Sequence, residues 1–517
     1  MMGMPPRKRK PNHRYFVYDT ENHGLNGHLP VFGCVVNVET RERRHFFDMK
    51  ELTGFLEENA PCTAWAHNGN TFDISGLLSL EERYMAEKIS SGTKIFSLKH
   101  NGVDYRDSKH IFPMSLSQIA TSVGMEKGHT PDIFTQWDGE TVITEEDVTQ
   151  EMIDYCYLDC DILAEAISRF KNLYAEMVGR DPNSIDLPLT TAGSAYRAWC
   201  AKYWPEHWTF RSAKGILRPF VRCRKRYNDL FGECEVGGMT RLLNINLYPP
   251  GEVIRHSLVC YDINSSYPAQ MRDKPFPDMK SINMVGATMG ALMNELYRED
   301  RVCIANLKMT AVRDDAYLGA PNIDSDKRRN WDQRIFDGWL CEPEIRMLIE
   351  NGWQVDEVRS IMSSRAINPF GKFVQDMYDL RLRLREQGDP RHHMVKLLAN
   401  SLFGGFGIKP KPKRIEGLGI KELQETPEYD DLLASGLIEL DYYDGLRAQW
   451  PFILDHREMN RVPMRQFFDS VWLLAAGRER FESMIPIGDE LGQWKLETPE
   501  PYGSGVFYEP KAYTLFK

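Results

Sequence analysis

The sequence predicts a mixed architecture, α/β in its first third and α+β in the rest, arranged as two domains. Short apolar segments that end in acidic residues are typical of strands whose ends line a site. Longer segments repeat apolar residues every three or four positions, as amphipathic helices do. With 517 residues and 42% hydrophobic content, the chain can bury two or more cores. A Pro-, Asn- and Asp-rich stretch around residues 181–189 is typical of a linker, and we place the domain boundary there.

Composition excludes several classes of protein. The ten cysteines are scattered without a CxxC pair, which argues against a disulfide framework and against a zinc site. Residues 1–14 contain the basic tetrapeptide Arg7–Lys10 but no apolar segment of a secretory signal, so we expect a solvated basic tail. No apolar run is long enough to span a bilayer. We therefore expect a cytoplasmic protein in the interior of its host cell, without a membrane partner.

The net charge of −10 leaves a nucleic-acid partner open, because a polyanion responds to the local field rather than to the total charge. Residues 211–226 carry a run of Arg and Lys without an acid, and a second basic zone spans 372–414. Charge alone neither predicts nor excludes DNA binding.

Three acidic clusters in the first third indicate a metal site. A strand over residues 15–21 would place Asp19 and Glu21 on one face, because side chains two apart on a strand point the same way. A second strand at 64–66 is followed by a Gly-containing turn and Asp73. A helix then begins near Tyr155, where Tyr155 and Asp159 are four residues apart and share a face. Tyr157 and Asp161 repeat that spacing, so Asp161 competes with Asp159.

The order of these clusters resembles the Exo I, Exo II and Exo III motifs of DnaQ-like 3′–5′ proofreading exonucleases. The resemblance implies an RNase H-like domain over residues 15–185 that binds two divalent ions, Mg²⁺ or Mn²⁺. Their ligands would be Asp19, Glu21, Asp73 and Asp159, and Tyr155 would orient the attacking water. We prefer Asp159 to Asp161 because it keeps the register of the family's motif. Contacts to single-stranded DNA would come from His67, Asn68, Phe72 and Ser108.

A second metal site is predicted at Asp262. The apolar segment 257–260 is typical of a buried strand, and a turn is predicted at the Ser-Ser-Tyr-Pro sequence that ends at Pro268. A carboxylate at the end of a buried strand suits Mg²⁺ shared with substrate phosphates. The string Asp-x-x-Ser-Ser-Tyr-Pro resembles motif A of the family B DNA polymerases. The residues that follow it, 269–271, resemble the protein-primed branch found in phages and linear plasmids.

Two helices are predicted downstream. Apolar residues recur along residues 373–384, and a second amphipathic helix is expected from Arg391 to Phe403. The string from Lys396 to Gly404 resembles motif B, Lys-x-x-x-Asn-Ser-x-Tyr-Gly. The resemblance implies that Lys396 contacts the nucleotide triphosphate, with Arg381 or Arg385 as a second contact. It also implies that Asn400 and Phe403 line the nascent base pair, while Tyr267 excludes a 2′-hydroxyl. DNA contacts would be Gly237, Gly238, Lys511 and Tyr513.

One expected motif is missing. Family B polymerases carry a second acid pair, Tyr-x-Asp-Thr-Asp-Ser, on a hairpin, and about 20 to 35 residues are absent where it should lie. Three explanations compete: Asp489 and Glu490 substitute; acids at 430–431 or 441–444 fold back; or the sequence is a shortened or split product. We favour the third.

We therefore predict a DNA-directed DNA polymerase, protein-primed and serving a viral or plasmid genome, with a proofreading exonuclease. The polymerase domain would span 186–517, with a palm (186–271 and 415–517), an insertion (272–365), fingers (366–414) and a truncated thumb. Its partners would be template-primer DNA, deoxynucleoside triphosphates and a terminal priming protein, and we expect a monomer. The alternatives are a 3′–5′ exonuclease with an inactive polymerase module and a non-enzymatic DNA-binding replication protein.

Overall fold

The protein is described by a computed structural model. The ranges that it describes are residues 14–22, 30–69, 73–91, 94–131, 144–211, 217–219, 258–263, 266–278, 281–312, 322–323, 329–330, 334–402, 413–444, 449–455 and 508–513. Contacts divide the chain into two compact units, each described here by itself. The first unit comprises Met1–Trp204, Asp376–Gly405 and Lys409–Val462, and the second comprises Pro205–Gln375, Phe406–Ile408 and Pro463–Lys517. The exonuclease domain predicted over 15–185 lies entirely within the first unit.

A seven-stranded sheet forms the centre of the first unit. Its strands are β1 (Arg14–Asn22), β2 (Pro30–Asn37), β3 (Arg43–Phe46), β4 (Cys62–Ala66), β5 (Glu87–Ser91), β6 (Lys94–His100) and β7 (Val103–Asp107). Their order across the sheet is β3-β2-β1-β4-β7-β6-β5. The central pairs β1–β4 and β4–β7 are parallel, and the other pairs are antiparallel. Parallel central strands flanked by helices are buried on both faces, which explains why β1, β4 and β7 are nearly continuous runs of buried residues.

Helices cover this sheet. They are α1 (Met49–Glu58), α2 (Asp73–Leu77), α3 (Leu80–Met85), α4 (Leu116–Ser122), α5 (Gln150–Val178) and α6 (Thr191–Lys202). The long helix α5 contacts β1 and β2. It begins after Thr149, whose hydroxyl caps the first turn, and it ends at Gly179, which adopts φ 66° in the left-handed region that favours glycine. Helix α6 begins at Thr191, after its N-cap residue Thr190.

The second unit contains a mixed group of strands and helices. In chain order these are β8 (Thr209–Arg211), β9 (Leu217–Pro219), β10 (Leu258–Ile263), α7 (Ser266–Asp273), β11 (Phe276–Pro277), β12 (Asn283–Val285), α8 (Met289–Leu296), β13 (Arg301–Ala311), β14 (Asn322–Ile323), β15 (Arg329–Asn330), β16 (Ile335–Cys341), α9 (Glu342–Glu350) and β17 (Trp353–Ile367). Strands β11, β17, β13 and β16 form an antiparallel sheet, to which β12 adds beside β17.

Two predictions around Asp262 have different outcomes. The predicted strand is confirmed as β10, although it continues past Asp262 to Ile263. The turn predicted through Pro268 is wrong for Ser266, Tyr267 and Pro268, which form the first turn of α7. Proline is tolerated there because the first turn of a helix needs no N–H donor for an intrahelical bond.

The helices predicted for the fingers are confirmed as α10 (Gly371–Glu386) and α11 (Arg391–Ser401). Phe373, Met377 and Leu384 of the predicted apolar stripe are buried. The remaining elements are β18 (Lys413–Ile415), α12 (Leu418–Gln424), α13 (Tyr429–Ala434), β19 (Ile438–Asp444), β20 (Gln449–Asp455) and β21 (Tyr508–Tyr513). The order β18-β20-β19 makes a small sheet, and β21 pairs with β10. Among the described residues, no helix is both long and apolar enough to cross a membrane.

Candidate functional site

The acids of the first unit meet where β1 and α2 adjoin. Asp19 and Glu21 lie two residues apart on β1, and Asp73 is the first residue of α2. Thr20, which lies between the first two acids, donates from its backbone N–H (2.9 Å) and its hydroxyl (2.7 Å) to Oδ1 of Asp73. These two hydrogen bonds fix the Asp73 carboxylate beside the strand that carries the other two acids.

Helix α5 brings the fourth acid to the same place. Asp159 is only 6% exposed, and Tyr155 lies one helical turn before it. Lys127 donates from Nζ to the Tyr155 hydroxyl (2.6 Å) and to Oδ2 of Asp159 (2.8 Å). Thr130 shares a hydrogen bond of 3.0 Å with the same tyrosine hydroxyl. The other oxygen of Asp159, Oδ1, is buried and has no hydrogen-bond partner among the described residues.

The rival acid points elsewhere. Asp161 forms an ion pair with Arg43, whose side chain is 53% exposed. Asp161 therefore already has a cationic partner near the surface, whereas Asp159 faces the other acids. The geometry supports the choice of Asp159.

Burial and mutual repulsion raise the pKa values of these carboxyls. The pKa of Asp19 is raised well above its usual range by burial first, and then by Cys156, Asp73 and other neighbouring acids. Burial also raises the pKa of Glu21, with Cys156 and Asp159 as the next causes. For Asp73, burial raises the pKa to about 6 although the hydrogen bonds from Thr20 lower it. Lys127 is the one cation that hydrogen-bonds an acid of this set within the described ranges.

This excess of buried negative charge fits divalent cations. Within the part of the chain that the structure describes, neither Asp19 nor Glu21 forms an ion pair with Lys or Arg. The unsatisfied Oδ1 of Asp159 is a further acceptor without a donor. Buried carboxylates without counterions are unfavourable, and hard divalent ions bound by oxygen ligands relieve that cost.

The residues predicted to contact single-stranded DNA form a linked group. His67 Nδ1 lies 2.9 Å from the Ser108 hydroxyl, and Ser108 itself is fully buried. The backbone N–H of Asn68 donates to Asp107 Oδ1 at 2.9 Å. Lys109 Nζ donates to the side-chain oxygen Oδ1 of Asn68 at 3.2 Å. The buried Ser108 hydroxyl thus orients the His67 ring. Phe72 lies outside the described residues.

Motif A belongs to the second unit. Asp262 lies in β10, where the antiparallel register places Glu509 directly opposite it. The same pairing places Lys511 opposite Cys260 and Tyr513 opposite Leu258. Tyr267 is the second residue of α7 and is half-buried. Gly237 and Gly238 lie outside the described residues.

The residues of the fingers lie in the first unit on α10 and α11. Arg381 and Arg385 are close enough that burial and the charge of Arg385 lower the pKa of Arg381. Lys396 and Asn400 are exposed on α11. In the described ranges, Arg381, Arg385 and Lys396 have no acidic partner, so their positive charge is available to an anion. Phe403 lies outside the described residues.

Sequence reasoning missed Lys127 and Cys156. Lys127 comes from the segment between α4 and α5, which has no periodic pattern that could assign it to a site. Cys156 lies 3.6 Å (Sγ) from the backbone oxygen of Asp19 and 3.9 Å from its Oδ2. Its position next to Tyr155 on α5 was the only available signal.

Comparison with known proteins identifies the family of this chain. The family described as DNA polymerase type B, organellar and viral, matches residues 108–435. The chain belongs to this family. The family predicted from the motifs is therefore confirmed.

Three fungal proteins named probable DNA polymerase are similar to this type B chain. The one from Neurospora intermedia is 22% identical over 280 residues, which cover 52% of this chain and 26% of the relative. The one from Ascobolus immersus is 23% identical over 292 residues (54% of this chain and 21% of the relative), and the one from Podospora anserina is 23% identical over 342 residues (60% of this chain and 25% of the relative). The type B chain spans about a quarter of the length of these curated relatives.

Solved structures show the same fold for this type B chain. Phi29 DNA polymerase complexed with primer-template DNA and incoming nucleotide matches with a TM-score of 0.63 and 15% identity, covering 91% of this chain and 76% of that one. Phi29 DNA polymerase in an orthorhombic crystal form matches with a TM-score of 0.65 and 15% identity, and the match covers 90% of this chain and 76% of that one. This likeness supports a mixed α/β polymerase fold.

Proposed function

We propose that this chain is a DNA-directed DNA polymerase of the protein-primed type with a 3′–5′ proofreading exonuclease. The observation that carries the proposal is the convergence of Asp19, Glu21, Asp73 and Asp159, from β1, α2 and α5, into one acidic site next to Tyr155. Those are the four acids and the tyrosine that the exonuclease motifs require.

In the exonuclease site, the chain's own residues hold and orient the reacting groups. Asp19, Glu21, Asp73 and Asp159 would bind Mg²⁺ or Mn²⁺, which when bound activates a water and stabilises the leaving oxygen of phosphodiester cleavage. The Lys127 ammonium holds Oδ2 of Asp159 and donates to the Tyr155 hydroxyl. Because the tyrosine oxygen accepts that hydrogen bond, its own O–H is available to a water or to Thr130. His67 and Asn68 lie after β4 and would hold the unpaired DNA end.

In the polymerase module, Asp262 would bind a divalent ion shared with the incoming triphosphate. The Lys396 ammonium would contact the triphosphate as a point charge, and the guanidinium of Arg381 or Arg385 would add a bidentate contact. Asn400 and Phe403 would line the new base pair. Tyr267 would exclude a ribose 2′-hydroxyl. Gly237, Gly238, Lys511 and Tyr513 would contact the DNA. Template-primer DNA and deoxynucleoside triphosphates are supported as partners by the similar structure that holds both.

A terminal priming protein, a monomeric state and a viral or plasmid genome as the template are further parts of this proposal. They follow from the resemblance of residues 262–271 to the protein-primed branch. The alternative is an exonuclease whose polymerase module is inactive, and it is favoured by the missing second acid pair. We keep the domain bounds predicted from the sequence, with the exonuclease at 15–185 and the polymerase at 186–517.

A primer-extension assay with Mg²⁺ and all four deoxynucleotides tests the proposal. Wild type should both extend and shorten a labelled primer. Asp19→Ala should abolish shortening and keep extension, whereas Asp262→Ala should do the reverse, so each variant is the control for the other. Shortening without extension would support the alternative. DNA binding with neither activity would identify a non-enzymatic replication protein.

A further inference from the structure

Cys156 lies inside the acidic cluster of the first unit. Its Sγ, one carboxylate oxygen of Asp19 and one of Glu21 all lie within 4.8 Å of one another. The arrangement follows from two regular elements, since β1 presents Asp19 and Glu21 on one face and α5 packs across that strand. Cys156 and Asp159 are three residues apart on α5 and so lie on the same side of the helix.

The cluster lacks positive charge on the side of this thiol. Lys127 pairs with Oδ2 of Asp159, and no Lys or Arg in the described ranges forms an ion pair with Asp19 or Glu21. An independent observation points to a missing ligand. Asp159 is buried, with only 6% of its surface exposed, and its Oδ1 has no hydrogen-bond partner in the described part of the chain. Asp159 is near enough to raise the pKa of both Asp19 and Glu21. A cation at this position would be bound by Asp19 and Glu21, and its charge would offset that of the nearby Asp159 carboxylate.

The kind of cation follows from the ligands. Hard ions such as Mg²⁺ bind oxygen and avoid sulfur, whereas thiolate ligands select soft or borderline ions such as Zn²⁺ and Cd²⁺. Three protein ligands with one position left open are typical of zinc sites at which water or substrate completes the tetrahedron. Two carboxylates and one thiolate provide such a set, and the net charge of the three ligands exceeds that of the ion.

The neighbouring thiols of Cys34 and Cys160 hydrogen-bond with Cys156, and they also reach backbone oxygens. Cys160 Sγ lies 3.6 Å from the backbone oxygen of Cys34, and Cys34 Sγ lies 4.0 Å from that of Ile153. Both cysteines are fully buried. They pack between α5 and β2 but do not belong to the group of ligand atoms from Asp19, Glu21 and Cys156, so Cys160→Ser tests whether a thiol beside Cys156 could bind the cation instead.

We propose that Asp19, Glu21 and Cys156 form a binding site for a thiophilic divalent cation of the Zn²⁺ and Cd²⁺ class, in competition with Mg²⁺ for the same carboxylates. The proposal rests on the assignment of Asp19 and Glu21 as metal ligands made above. The cation binds the Cys156 thiolate, and any proton that the sulfur carries passes to the buffer as the S–metal bond forms.

Titration of the full-length, reduced protein with Cd²⁺ in excess Mg²⁺ tests the site. The ultraviolet charge-transfer band of a Cd²⁺–thiolate bond is the readout, measured for wild type, Cys156→Ser, Cys160→Ser and Asp19→Ala. In wild type and Cys160→Ser, the band should grow with the first equivalent of Cd²⁺ and then saturate, which we call the tight phase. Cys156→Ser should lose that phase, with affinity lower by about 100-fold or more, because loss of an outer partner alone costs about 10- to 100-fold. Asp19→Ala should weaken the phase while keeping the band.

Either of two results overturns the proposal: a tight phase that survives in Cys156→Ser, or one whose affinity is unchanged in Asp19→Ala. Far-ultraviolet circular dichroism establishes that each variant folds, and Cys156→Ala replaces the serine variant if that one does not. Primer shortening in Mg²⁺ separates this proposal from the function on which it rests. A normal Cd²⁺ phase without shortening would reject the exonuclease and keep the site, whereas shortening without a Cd²⁺ phase would reject the site and keep the exonuclease.

Discussion

The Lys127 ammonium lies 2.8 Å from Oδ2 of Asp159 and joins two segments that are 32 residues apart in the sequence. The same ammonium donates to the Tyr155 hydroxyl at 2.6 Å. One cation thus fixes both the acid and the tyrosine of the third acidic cluster. Burial raises the pKa values of Asp159 and Glu21, and the Lys127 charge opposes that rise, so it affects the protonation of the acids as well as their position.

Replacement of Lys127 by Met should slow primer shortening about 100-fold, the cost of a small misplacement of catalytic groups. The acid limb of the pH–rate profile should also move to higher pH, because the carboxyls of Asp159 and Glu21 lose the nearby positive charge that lowers their pKa. Lys127→Arg should keep the wild-type profile in part. Lys99→Gln, at a surface pair with Glu87, is the control and should change neither quantity. A slower rate with an unmoved acid limb would leave Lys127 with a purely structural role.

Asp159 and Asp161 can be separated by matched substitutions. Asp159→Asn should reduce shortening by at least about 100-fold, because even outer partners of metal sites cost up to that amount. Asp161→Asn should leave the rate within about 3-fold and cost about 1 kcal/mol or less, because its partner Arg43 is largely exposed. Single-turnover digestion of a labelled single strand is the measurement. Loss of activity in Asp161→Asn with activity retained in Asp159→Asn would reverse the assignment.

Removal of charge from the acidic cluster should stabilise the metal-free protein. A carboxyl whose pKa is raised in the folded state favours folding below its unfolded pKa and loses that contribution as pH rises through the folded value. For Asp73 this window runs from 3.8 to about 6, and the pKa of Asp19 is raised in the same direction. The free energy of unfolding in a chelator should therefore fall as pH rises from about 4 through about 6.

At neutral pH, Asp19→Asn should raise the free energy of unfolding of the metal-free protein by about 1–3 kcal/mol, the range for an uncompensated buried polar group. Asp104→Asn is the opposite control, because Asp104 is paired with buried Arg106, and its loss should cost about 3–5 kcal/mol. Thermal unfolding with and without Mg²⁺ measures both. Asp19→Asn should also lose the stabilisation that wild type gains from Mg²⁺. If Asp19→Asn proved less stable in chelator, the carboxylate would have a compensating partner.

Sequence patterns predicted those site residues whose relative positions follow from the regular geometry of a single strand or helix. The two-residue period of β1 places Asp19 and Glu21 together, and the spacing of Tyr155 and Asp159 is one helical turn, so both follow from local structure. Lys127 and Cys156 could not be predicted in this way, because their partners are brought near only by tertiary packing. The failure at Ser266–Pro268 has a local cause: the same Pro that suggests a turn is also compatible with a helix start.

Discrimination against ribonucleotides should depend on Tyr267. Tyr267→Val should increase incorporation of ribonucleotides relative to deoxynucleotides by about 10- to 100-fold, because a steric contact in a pocket contributes roughly that much selectivity. Tyr297→Val is the control, since Tyr297 belongs to the same unit and is 75% exposed. Primer extension with each nucleotide type gives the ratio. An unchanged ratio in Tyr267→Val would remove Tyr267 from the sugar site.

The register of β10 and β21 suggests where a second polymerase acid lies. Glu509 is directly opposite Asp262 in the antiparallel register of these two strands. A site for divalent ions at a triphosphate needs more than one carboxylate, so Glu509→Gln should reduce primer extension about 100-fold and leave primer shortening unchanged. Glu357→Gln, at a surface pair with Arg359, is the control and should alter neither activity. Full extension by Glu509→Gln would exclude Glu509 as the partner of Asp262 and would leave the second acid to be found in another segment of the chain.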